Sequence, residues 1–209
     1  MAARGAYATG LARREAILRA ASEAFATHGY RGASLAKIAE RVGMSAPGLL
    51  HHFPTKEHLL VDVLALRQER DAARVRALAS ERGGRILDAL LVLAKRNADS
   101  PGLVRLFTML AAESVDDDHP GHDWFVERYR RSREFVAERL TEEQRVGLVR
   151  EDVNPGMIAA QILAMFDGLQ LQWLLDPGEV DLVTALDDYL GDLRSRLAPP
   201  GAAADRSAD

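Results

Sequence analysis

Ile17, Ala20, Ala21, Ala24, Phe25 and His28 recur at intervals that line side chains along one helix face. This stripe predicts a first helix from about residue 11 to residue 28, with Gly29 as its stop. After the turn Arg31-Gly32-Ala33, Ser34 suits the N-cap of a short second helix. Leu35, Ile38, Ala39 and Val42 form that helix's apolar stripe, and Lys37 and Arg41 lie off it. Gly43 permits a sharp turn. Ser45 then caps a third helix that runs to His51 or His52, with Pro47 in its first turn, where a missing N–H costs little. A long packing helix followed by two short ones around a glycine turn is the pattern of a helix-turn-helix. Its second short helix would aim its N-terminal residues at base edges.

A fourth helix starts after Pro54-Thr55 and runs to about Ala79, where Glu81–Gly84 interrupts the pattern. Further amphipathic segments fall at about 85–97, 101–114, 120–146, 155–175 and 179–197. Ser100-Pro101 and Asn154-Pro155 are cap-plus-proline starts, and Asp176-Pro177-Gly178 is a break. The fold class expected is all-α. Residues 1–55 form a DNA-binding head, 56–197 a ligand-binding and dimerisation body, and 198–209 a small, polar, disordered tail.

Composition narrows the chemistry. No cysteine is present among the 209 residues, which excludes disulfides, thiolate zinc sites and cysteine nucleophiles. No run approaches the roughly 18 consecutive apolar residues of a membrane span. The first ten residues lack an apolar signal core, so the cytoplasm is the expected compartment and no membrane partner is expected. Net charge is −4, yet residues 1–60 hold eight Arg and Lys against four Glu. The head is therefore +4 and the remainder −8, a distribution that fits a DNA-contacting end joined to a part with another task.

The stretch ILRAASEAFATHGYRGASLAKIAERVGMSAPGLLHHFPTKEHLL closely resembles the DNA-binding domain of TetR-family transcriptional repressors. The features carrying the likeness are the first helix ending in F-x-x-x-G-Y, the segment S-L-x-x-I-A, the G-M-S turn and H-H-F-P-T-K-E-x-L. More loosely, LVRLFTMLAAES, HDWFVERYRRSREF and FDGLQLQWLLDP are similar to the C-terminal domains of an actinobacterial branch grouped with choline-responsive regulators. The resemblance implies a homodimer that binds a pseudo-palindromic double-stranded operator and is released by a small-molecule effector. It implies no cofactor, no metal and no catalytic residue.

Carried onto this chain, the DNA-contacting positions are Ser34, Ser45, Ala46, Pro47, Gly48, His51, His52 and Lys56. Where many relatives have Thr-Leu-Tyr-His-Tyr-Phe, residues 48–53 read Gly-Leu-Leu-His-His-Phe. His52 stands where a tyrosine hydroxyl commonly meets a phosphate, and an imidazole can donate there as well. Ala46, Pro47 and Gly48 offer almost no side-chain hydrogen bonds, so specificity falls to methyl contacts, backbone approach and DNA shape. For His51-His52, packing of a helix end and metal binding stay open beside the DNA-facing reading. Adjacent helical residues diverge, however, which disfavours joint chelation. Lys56 at a helix start suits a phosphate clamp or is a solvated lysine. Ser34 and Ser45 serve as caps and also reach phosphate. Arg13 and Arg14 reach phosphate or a minor groove, or lie on a solvated face.

In the body, Phe107, Leu110, Glu113, Trp124, Tyr129, Phe166, Asp167, Gln170 and Trp173 are the candidate effector contacts, with packed core as the competing reading for each. Glu113 and Asp167 stand in apolar contexts, so burial would demand partners, a cationic ligand being one. Asp116–His122 places His119 and His122 near three aspartates, compatible with a metal site or with a polar inter-helix loop. A helical enzyme built on those groups and an effector-free architectural DNA-binding protein are the rival functions. The first lacks an accompanying nucleophile or oxyanion feature. The 155–175 segment is apolar on more than one face and so needs two neighbours, with Leu169 and Leu174 as candidates for a four-helix bundle across a two-fold axis.

Overall fold

A computed structural model of the chain describes residues 2–81 and 84–200, with side chains from residue 12 onward. Every regular element among them is an α-helix: α1 (Ala2–Gly32), α2 (Leu35–Arg41), α3 (Ala46–His52), α4 (Lys56–Ser80), α5 (Ile86–Ala98), α6 (Pro101–Glu113), α7 (His122–Arg145), α8 (Pro155–Leu175) and α9 (Leu182–Leu197). The part of the expected tail from residue 201 onward lies outside the described residues.

Two compact units share these helices. The first takes residues up to Arg70 together with Ser100–Phe125, and the second takes Asp71–Asp99 together with residues from Val126 onward. The first unit thus holds the helix-turn-helix together with α6 and part of α4. Its core joins Ile17, Ala21 and Phe25 of α1, Ile38 of α2, Leu49 of α3 and Leu59 and Leu60 of α4, all essentially buried. Helix α6 packs on α1 inside the same unit. A Cβ at Gly102 would stand 2.7 Å from the Ala26 carbonyl oxygen, so the first turn of α6 approaches that backbone closely enough to require glycine. A partner 76 residues away in sequence leaves no periodic signal near α1.

Local chemistry sets the helix ends. Gly29 interrupts α1 with φ 68° and ψ 178°, and the chain resumes a helical turn to Gly32, past the expected stop. His28, placed on the buried stripe by its spacing, is exposed. Asn154 accepts from Met157 N at 3.1 Å and starts α8. Asp181 accepts from Thr184 N at 2.6 Å, which moves the start of α9 to Leu182, later than the pattern suggested. In the second unit, Arg85 precedes α5 without a side-chain cap of its own. Buried Glu143 of α7 supplies it instead, accepting from Ile86 N at 2.8 Å with Arg85 3.3 Å away. The core of this unit runs through Ile86, Leu90, Leu140, Ile162, Phe166, Leu186 and Leu190.

Helix α8 is the one described helix long and apolar enough, by length and composition, to cross a membrane. Only Ala159, Ile162, Phe166 and Gln170 of it are buried. Met157, Leu171 and Leu175 are exposed on another side, Leu175 to 77%. Leu169 is half-buried and packs against the core beside Phe166 and Trp173, and Leu174 is half-buried as well.

Candidate nucleic-acid interface

Ser34 begins α2, its hydroxyl facing Lys37 N at 3.5 Å, and Ser45 begins α3, accepting from Gly48 N at 3.2 Å. Between them Gly43 takes φ 70°, a left-handed turn that L side chains resist. Met44 N returns a hydrogen bond to Ala39 O at 3.0 Å and closes the connection. Leu49 and Phe53, four residues apart, anchor α3 in the core. That anchoring turns the rest of α3 outward: Pro47, Leu50, His51 and His52 are exposed, with Ala46 and Gly48 half-buried. The candidates from Ser45 to His52 therefore share one short helix, and Ser34 caps its neighbour.

His51 and His52 have ring centroids 6.0 Å apart at an interplanar angle of 69°, and both are exposed rather than packed. Thr55 caps α4, accepting from His58 N at 3.3 Å. Next to it, the Lys56 ammonium lies 4.7 Å above the Tyr30 ring, and the Tyr30 hydroxyl donates to Glu57. That hydrogen bond holds the Glu57 carboxyl below its ordinary range. Lys56 is thus neither a free surface lysine nor a bare clamp: an aromatic face steadies its charge near the start of α4. Arg14 is exposed and paired with Asp62 at 2.6 Å, its guanidinium 5.2 Å from the Phe53 ring centroid. Arg41 pairs with Glu23. Arg13 is exposed.

The effector candidates divide between the units. In the first, Phe107 and Trp124 both meet Phe125, at 5.3 Å and 4.7 Å between centroids, and Leu110 is buried. Glu113 is exposed, so its charge stays in water and calls for no buried partner. His119 Nδ1 accepts from Gly121 N at 3.0 Å, and His122 Nδ1 donates to the Ser114 carbonyl at 3.0 Å. The histidines of the acidic stretch thus tie down the α6–α7 loop.

In the second unit Tyr129 donates to Asp167 at 2.7 Å, and the Arg128 guanidinium lies 4.8 Å from the Tyr129 ring centroid. Burial raises the Asp167 pKa, while the Tyr129 hydrogen bond and the Arg128 charge pull it back. Burial likewise raises the Tyr129 hydroxyl well above its ordinary range. Phe166 and Gln170 are buried on the inward face of α8, and Trp173 packs partly against the same core. Arg128 escaped the sequence reading, since an arginine in the run Arg128-Tyr129-Arg130-Arg131 looks like one more solvated charge.

An anchored helix that presents its outer side from a glycine turn, on a basic head, defines a helix-turn-helix DNA-binding regulator. Residues 17–63 match the family model of bacterial regulatory proteins of the tetR family, and residues 79–195 match the BetI-type transcriptional repressor C-terminal model. The HTH-type transcriptional repressor AcnR of Corynebacterium diphtheriae is 31% identical over 170 residues, covering 81% of this chain and 84% of the relative. Among solved structures, a TetR transcription regulator from Haloarcula marismortui superposes with a TM-score of 0.76 at 19% identity, over 90% of this chain and 98% of the other. A transcriptional regulator from Saccharomonospora viridis, solved in complex with choline, gives 0.70 at 24% identity over 87% and 95%. The chain belongs to the tetR family of bacterial transcriptional regulators. It is a DNA-binding repressor of that ligand-responsive type and not an enzyme.

Proposed function

We propose that this repressor works in the cytoplasm as a homodimer on a pseudo-palindromic operator, and that a small molecule held by the body loosens that grip. The observation that carries the dimer is the outer side of α8. Met157, Gln161, Ala164, Gly168, Leu171 and Leu175 alternate at four- and three-residue steps, and all but half-buried Gly168 are exposed. Thr184, Asp188, Gly191 and Ser195 repeat the spacing on α9, and a Cβ at Gly168 or Gly191 would meet open space. This is the seam spacing of helices that pack at a shallow angle, with small residues admitting close approach. A second copy laid across this face covers the apolar side of α8 in a four-helix bundle. Sedimentation equilibrium is expected to show a dimer, and a stable monomer at micromolar concentration would defeat the proposal.

Each protomer then brings one α3 to the DNA, with the two helices about 34 Å apart along one face. Ser34, Ser45, His51, His52 and Lys56 meet the backbone, and Ala46, Pro47 and Gly48 allow α3 to lie close to the bases. Lys56→Ala is expected to weaken binding to all sequences alike and to reduce the salt dependence by about 0.9 log unit per lost phosphate contact. A binding isotherm series in rising salt checks this. An unchanged slope would remove Lys56 from the phosphates.

For the effector, Asp167, Tyr129, Phe166, Gln170 and Trp173 provide polar groups among apolar and aromatic walls. Phe107, Leu110, Glu113 and Trp124 are candidates in the other unit. The Gln170 amide, on the inward face of α8, can both donate to and accept from a ligand held among these walls. Arg128 already stands beside Asp167 on Tyr129, so that carboxylate creates no demand for a cationic effector like the choline of the Saccharomonospora protein. Gln170→Leu is expected to remove that donor and acceptor while leaving the fold intact in urea unfolding. It is also expected to make the protein insensitive to compounds that release the parent from DNA. Unchanged release by those compounds would remove Gln170 from the effector contacts. Release requires that the effector favour a dimer shape in which the two α3 helices no longer fit successive grooves. DNA then weakens the effector by the same factor, typically about 5- to 150-fold.

A further inference from the structure

We propose that Leu50 is a sequence-reading residue that recognises the C5-methyl group of a thymine in each half of the operator. Leu50 is 41% exposed, although it sits between fully buried Leu49 and the outer face of a helix otherwise anchored by Phe53. It has no role in the core. Pro47, Leu50 and His51 stand at i, i+3 and i+4, so the leucine lies among the residues that α3 presents outward.

The rest of that surface explains why an apolar contact carries the specificity. From Ala46 to His52, α3 holds no Arg, Lys, Asn, Gln, Asp or Glu, the side chains that make bidentate contacts to guanine or adenine or accept from cytosine. The two serines nearest by are spent on caps. In the major groove the one apolar landmark among the bases is the thymine methyl, which a leucine side chain covers well and the other bases do not supply. Covering it removes apolar surface from water on both partners, worth about fourfold in affinity per methyl group. A leucine left exposed in the free protein is the expected state of such a contact, because its partner arrives only with the DNA.

This inference rests on α3 being the recognition helix, which Gly48→Asp tests separately. The experiment for Leu50 uses the full-length protein and an operator selected from random DNA. Each thymine of one half-site is replaced in turn by uracil, which deletes the methyl and leaves every hydrogen-bonding group in place. At one position the parent protein is expected to lose about fourfold in affinity, and about 16-fold when both symmetric positions are changed. Leu50→Ala is expected to bind the thymine operator more weakly than the parent and to lose the uracil penalty at that position only. Its salt slope and circular dichroism are expected to match the parent, since neither phosphate contacts nor core are touched. If no uracil substitution costs affinity, or if Leu50→Ala shows the same penalty as the parent, Leu50 does not read a methyl group. If Gly48→Asp binds normally, the placement of α3 fails instead.

Discussion

A Gly48→Asp protein is expected to fold as the parent does and to lose operator binding by at least about 100-fold. Gly48 is in the first turn of α3, where a Cβ would lie 3.2 Å from Ser45 Oγ and 3.5 Å from the Met44 methyl. The serine hydroxyl and the methionine tip can yield by that small amount. A carboxylate at the start of a helix is also favourable to the helix itself. What changes is the encounter with DNA. A negative charge on a short helix that must enter a phosphate-walled groove meets like charges, which costs several kcal/mol. Gel-shift titration with matched circular dichroism checks both halves of the expectation. Unimpaired binding would place the groove-facing helix elsewhere.

Leu171→Glu is expected to yield monomers whose operator affinity falls by about 100- to 10,000-fold. Leu171 is 46% exposed in the protomer and sits in mid-stripe on α8. A buried like-charge pair across a two-fold axis would oppose association, while the exposed side chain leaves the protomer fold alone. The loss at the DNA follows from arithmetic. Two half-sites held by one dimer reinforce each other through effective concentration, and a monomer has only its own contacts. Leu169→Glu is expected to behave differently, unfolding the second unit, because that side chain packs on the core. Light scattering together with thermal melts separates the two outcomes. A Leu171→Glu dimer with full affinity would move the interface off α8.

Helix existence was legible because apolar spacing and caps are local. Ser34, Ser45 and Asn154 each precede a helix in sequence and in structure. The head was legible for a second reason. Its turn needs a glycine and its recognition helix needs two buried anchors, so Gly43, Leu49 and Phe53 carry a signal that a general helix pair lacks. Where reasoning from the sequence stopped, the cause was tertiary. No spacing reveals that Gly102 meets Ala26, that Glu143 caps α5, or that Arg14 turns to Asp62. The same holds inside α8. Helical periodicity shows that Leu169 and Leu171 point to different sides, but only the packing of α7 and α9 tells which side is core. Glu113 shows the reverse limit, since an acidic residue at the end of an apolar helix looks buried in sequence and is exposed in space.

The central claim is that two copies of α3, carried by one dimer, read a symmetric operator. Selection of random double-stranded DNA by the purified full-length protein, followed by sequencing and by weighing of the selected complex, tests it in one measurement. The account predicts an inverted repeat whose half-site centres lie about one helical turn, or a small multiple of it, apart, bound by two protomers or a multiple of two. Enrichment of a single asymmetric site held by one protomer, or no enrichment above bulk DNA, would contradict it.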